Sequence, residues 1–153
     1  FYLKWIKNSS ELDRNNWIKQ LDNPKKRAWS GYAFEQVCLE HIDQIKDALG
    51  ISTIETRTSS WVSRGNDQGA QIDLVIDRRD RVINLCEMKF SNNPFIISKS
   101  YANNLATKSE VFKEQTKTKS AIYLTLVTTF GLVSNSYASS MVQNDLQMGI
   151  LFK

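Results

Sequence analysis

Histidine occurs once in this sequence, cysteine twice, and no run of apolar residues approaches the roughly 18 that a membrane-spanning helix needs. The lone histidine, His41, falls in the apolar sector of a helical pattern and has no serine or cysteine partner that spacing identifies. A hydrolytic triad is therefore unsupported, and a packed core histidine is the simpler account. Cys38 and Cys86 have apolar neighbours and lack metal-ligand spacing, so they read as reduced core residues rather than a metal site. The start of the chain has no charged-then-apolar pattern leading to a small-residue cleavage site, and the expected location is the cytoplasm. Internal repeats, low-complexity tracts and a Walker-type phosphate loop are missing as well, which argues against solenoids and P-loop nucleotide hydrolysis.

What is present has the proportions of a globular domain. Hydrophobic residues make up 41% and charged residues 24% of 153 residues, enough to bury one core. The net charge is +4 and the sequence pI near 9.1. That excess permits contact with phosphate backbones without amounting to a dedicated nucleic-acid coat. The opening Phe1-Tyr2-Leu3-Lys4-Trp5-Ile6 reads like the middle of an element. Residues 1–24 are accordingly expected to be a connector from a preceding region, and 25–153 the domain itself.

A short helix is expected from Glu11 to Leu21, ended by Asn23-Pro24. After a basic turn, Pro24-Lys25-Lys26-Arg27, a long helical pattern runs from about Trp29 to Leu49, with Gly50 placed as its stop. Thr53 to Arg64 alternates and is rich in β-formers, and a turn follows over Gly65 to Gly69. Two strands, Gln71 to Asp77 and Val82 to Phe90, are separated by a link of hairpin length and should pair antiparallel. Tyr101, Leu105, Val111 and Phe112 are spaced for one face of a helix over roughly Ser98 to Gln115. It leads into Ala121 to Thr128, an apolar run suited to a strand covered on both faces. Met141 to Leu146 reads as an edge strand and the end as a short helical turn. This order predicts an α/β fold with a mixed central sheet flanked by helices.

The chemistry concentrates in the hairpin. Alternation along the second of its strands puts Glu87 and Lys89 on the side that begins with Ile83 and Leu85. Charges in a strand apolar on both sides are costly unless something compensates them, and a metal ion with a second carboxylate would do so. Asp73, on the paired strand, offers that carboxylate. Two converging carboxylates suit magnesium, with water and phosphate oxygens filling the remaining positions. The adjacent lysine could orient water or stabilise charge on a phosphorane-like transition state. On the long helix, a step of roughly 100° per residue sets Glu35 on the flank of the apolar sector, leaning toward the sheet, where it could extend the metal site or hold its water. The blander account is that all four are solvated charges.

Gly31-Tyr32-Ala33-Phe34-Glu35, Gly69-Ala70-Gln71-Ile72-Asp73 and Cys86-Glu87-Met88-Lys89-Phe90 resemble, in order and spacing, the helix glutamate and the Asp…Glu-x-Lys core of the PD-(D/E)XK nuclease superfamily. More narrowly, residues 29–152 resemble the nuclease-like C-terminal domain of prokaryotic archaeal-type AAA+ ATPases. The resemblance implies a restriction-endonuclease-like fold, Asp73 and Glu87 as metal ligands, Lys89 as the catalytic lysine and Glu35 as the helix carboxylate beside the metal. It implies magnesium or manganese as cofactor. Nucleic acid, DNA ahead of RNA, and the ATPase region of the same polypeptide are the implied partners. Ile72 stands where the superfamily pattern has its proline.

The expected function is metal-dependent phosphodiester hydrolysis. The alternative is an inactive nuclease-like module that binds nucleic acid or protein for the ATPase. Lys113, Lys117 and Lys119, with Lys99 and Lys108, outnumber Glu110 and Glu114 on and after the later helix. They could track phosphates, or simply form a solvated face. The tryptophans Trp5, Trp17, Trp29 and Trp61 read as core or interface anchors, and Trp61 could also lie near bound nucleic acid.

Overall fold

The structure, a computed structural model, describes residues 23–65 and 69–153. Most of the expected connector, including the helix Glu11 to Leu21, and the middle of the expected turn at 66–68 lie outside the described residues.

The first helix, α1, spans Pro24–Glu40. Asn23 caps it, its side chain accepting the Lys25 N–H at 3.0 Å, and Pro24 occupies the first turn. Proline there sacrifices no hydrogen bond and brings a helical φ with it. The basic run Pro24 to Arg27, expected as a turn before the helix, is therefore the helix's own first turn. The single helix expected up to Leu49 is also divided: His41, at φ −119° and ψ 36°, leaves the helical conformation, and α2 resumes over Ile42–Ala48. The ring compensates locally, with Nδ1 2.7 Å from the Val37 carbonyl and its centre 5.5 Å from that of Phe152 in an edge-on packing. This bend lets α2 turn toward the C-terminal segment, where Ile45 and Leu151 are buried in one cluster. Apolar periodicity continues through such a break and cannot reveal it.

Strands β1 (Thr56–Val62), β2 (Gln71–Arg78), β3 (Val82–Lys89), β4 (Ala121–Thr128) and β5 (Val142–Gln147) form one sheet in that spatial order. β1–β2 and β2–β3 are antiparallel, while β3–β4 and β4–β5 are parallel. Helix α3 (Lys99–Thr116) makes the crossover from β3 to β4, and the short α4 (Ser136–Met141), not anticipated from the sequence, makes that from β4 to β5. A 3₁₀ turn, Met148–Phe152, ends the chain. The α/β class with a mixed central sheet flanked by helices is as expected. β1 is shorter than the alternating run suggested, because Ile51 to Ile54 form a hydrogen-bonded turn instead.

Two buried clusters sandwich the sheet. Phe34 and Cys38 of α1 and Ile45 of α2 pack on Leu74, Ile76, Cys86 and Met88, while Ala102, Leu105 and Phe112 of α3 pack on Ile72, Val75, Ile83 and Leu85. Both cysteines are buried free thiols, with burial first among the causes that push each up to about 12. Trp61 packs edge-on against Phe112 at 5.1 Å, a core anchor. Among the described residues no helix is long and apolar enough to cross a membrane.

Candidate active site

Where β2 leaves β3, the ladder is interrupted and a side chain takes its place. The β2–β3 register runs from Asp77↔Ile83 to Leu74↔Cys86 and stops there. On the other side of β2, Ser59 pairs with Val75 and Trp61 with Ile72, so β2 spends one more residue than β1 over this stretch. The bulge explains why Ile72 and Val75, three apart, share the α3-side cluster while Leu74 and Ile76 face α1. Asp73 lies within it. Its Oδ2 accepts the Met88 N–H at 2.9 Å, substituting for a backbone partner beyond the end of the ladder. Bulges re-aim side chains in this way next to functional sites.

Glu87, the residue before Met88 on β3, is only 3% exposed. Lys108 of α3 donates from Nζ to Glu87 Oε2 at 2.8 Å, and the other oxygen, Oε1, is buried without a hydrogen-bond partner. Burial raises the proton affinity of Glu87, and the neighbouring Asp73 charge adds to it; Lys108 and Lys89 oppose the rise. Lys89, half-buried, holds Nζ 5.1 Å from the ring centre of Tyr101, within range of a cation–π contact. Across the opening, Glu35 projects from α1. Its proton affinity is raised by burial and by Asp73, and lowered by Lys89.

These side chains share one open pocket of about 510 Å³, lined by Glu35, Asp73, Glu87, Lys89 and Lys108 and walled by Gly31 and Tyr32 of α1. The structure thus brings together all four residues singled out from the sequence. It adds Lys108, which by sequence alone belongs with the basic side chains of the later helix. Tyr101, Leu105, Lys108 and Phe112 are spaced four, three and four apart, the repeat of one helix face, and the first, second and fourth pack inward. That spacing was the signal for Lys108. Lys113, Lys117 and Lys119 are exposed and lie away from the pocket: Ala121 pairs with Val82, at the opposite end of β3 from Lys89.

Asp73 and Glu87 could hold a divalent cation. The unpartnered Oε1 of Glu87 is a buried acceptor of the kind such an ion satisfies. Among the described residues no group of three His, Cys, Asp or Glu side chains is arranged to hold a metal. An ion held by two carboxylates, with water and phosphate oxygens in its other positions, is magnesium's usual habit.

Neither a family model nor a curated protein matches the chain. A solved structure described as a protein of unknown function, AF1548, is similar in fold, with a TM-score of 0.50 and 19% identity over 77% of this chain. The chain spans 64% of the length of that protein.

Proposed function

We propose that this domain is a magnesium-dependent nuclease of the PD-(D/E)XK type, acting on phosphodiester bonds of nucleic acid, DNA ahead of RNA, as the C-terminal part of an ATPase. The observation that carries this reading is the convergence of Asp73, Glu87, Lys89 and Glu35 on one pocket at the bulge in β2. The Met88 N–H orients Asp73 and Lys108 orients Glu87, and both carboxylates line the same pocket. When bound, magnesium would acidify a water and neutralise a phosphate oxygen. Lys89 supplies a positive charge toward the negative charge that accumulates on the phosphate, and its contact with Tyr101 keeps the ammonium within the pocket. Glu35, whose proton affinity is raised, is placed to accept a hydrogen bond from the attacking water.

Calorimetric titration with manganese should reveal a site in the wild type that Asp73→Asn loses. Asparagine keeps an acceptor for the Met88 N–H, so this substitution removes charge without orphaning a buried amide. Divalent-dependent cleavage should fall by about 10²-fold or more in Lys89→Met, the scale of losing one charge-stabilising group. Unchanged manganese binding in Asp73→Asn would argue decisively against the site.

One observation favours the inactive module instead. Lys108 already pairs with Glu87, so that buried carboxylate has a counter-charge without a divalent cation. That reading requires cleavage to be undetectable with any divalent ion and indifferent to Lys89→Met.

A further inference from the structure

A carboxylate as buried as Glu87 cannot stay charged without a partner, and Lys108 is the partner in direct contact with it. The contact uses only Oε2; Oε1 has none. Lys108 reaches this position from the packed face of α3, one turn after Leu105, and its side chain is 18% exposed, with the ammonium at the wall of an open pocket. The long, flexible stem of a lysine can stay packed while its head moves. Three carboxylates and two ammonium groups line this space, so a divalent cation seated on Asp73 and Glu87 would meet the Lys108 charge across a single carboxylate. The two cations would share one carboxylate and repel each other across it.

We propose that Lys108 is an internal counter-cation: it holds Glu87 while no metal is bound, and passes to a non-bridging oxygen of the substrate phosphate when a divalent cation takes over Glu87. This rests on the nuclease reading above and adds a coupling to it. Without a phosphodiester, the displaced ammonium gives up its buried anionic partner with no phosphate oxygen to replace it, and the cation binds weakly. With one, Lys108 exchanges one anionic oxygen for another, and the cation binds tightly. The site is thereby loaded mainly when substrate is present. No covalent bond changes in the exchange.

The test is calorimetric titration of manganese into wild type, Lys108→Gln and Lys108→Arg, each shown to be folded by circular dichroism, with and without dimethyl phosphate, a single phosphodiester that resists hydrolysis. In Lys108→Gln the affinity for manganese alone should rise about tenfold, the lower end of what removing one adjacent like charge does to such an equilibrium. The tightening that dimethyl phosphate causes in the wild type should shrink in the same variant. Lys108→Arg keeps the charge and should titrate like the wild type, so it separates charge from packing. Unchanged or weaker manganese binding in Lys108→Gln, alongside a wild-type site that Asp73→Asn abolishes, overturns the counter-cation and leaves the nuclease reading standing. Absence of manganese binding in every protein, the glutamine variant included, overturns both.

Discussion

Glu35 and Glu87 hold their protons more tightly than free glutamates do, first because each is removed from water and second because Asp73 stands nearby. The sign of the consequence follows from linkage. A carboxyl whose pKa is raised in the folded state stabilises the fold fully below the unfolded value, 4.5 for glutamate, and that contribution is lost as pH rises through the folded pKa. Glu35 is the better probe of the two, because Glu87 is tied to Lys108 and its replacement would leave that ammonium unpaired. Glu35→Gln should therefore gain stability relative to the wild type as pH increases from 4.5 toward neutrality, with little difference between them in more acidic solution. Urea unfolding midpoints across that range measure the gap. A constant gap would mean that the folded protein neither withdraws Glu35 from water nor sets it beside Asp73, and its place in the pocket would be in doubt.

At the scale of elements, α2 ends in a backbone arrangement that depends on one glycine. Gly50 sits at φ +70°, its N–H bonds to the Asp47 carbonyl, and the Ile51 N–H reaches back to Lys46, the paired hydrogen bonds of a Schellman stop. A Cβ added at Gly50 would meet nothing within 4 Å, so the penalty of Gly50→Ala is one of backbone conformation alone. It should cost about 1 kcal/mol, readable as a lowered urea midpoint with an unchanged slope. This stop was legible in the sequence because glycine after an apolar repeat has few other uses. The β2–β3 hairpin, α3 and β4 were legible for similar local reasons: alternation, a four-three spacing and a continuous apolar run each report a periodicity that the backbone imposes. The break at His41 and the bulge at Asp73 were not, since each is a one-residue departure fixed by tertiary contacts, the Phe152 edge in one case and the Met88 amide in the other. Three carboxylates and Lys89 could be placed in a common pocket because strand alternation and helix phase are both periodic. Lys108 was obscured by its company: lysines on a helix ordinarily face water, and its inward direction shows only when the phase of Tyr101, Leu105 and Phe112 is carried through it.

Across the whole molecule, the pocket and the exposed lysines after α3 stand apart along the sheet but are joined along the helix. From Lys89 to Val82 the strand covers seven steps, roughly 23 Å. From Lys108 to Lys117, at the C-terminal cap of α3, the helix covers nine, roughly 13 Å. A nucleic-acid backbone held at the pocket and running along α3 would pass Lys113 and Lys117 and then Lys119, and each phosphate that these lysines neutralise would release counterions. Replacing all three with glutamate should weaken DNA binding about equally for any sequence, and reduce the salt dependence of the affinity by up to about three charges' worth of slope. Manganese affinity at the pocket and the cleavage rate at saturating DNA should be unaffected, because none of the three lines the pocket. Fluorescence anisotropy over a range of salt concentrations reads both affinity and slope. If neither moves, these lysines form only a solvated helix end, and the proposed nucleic-acid path along α3 fails.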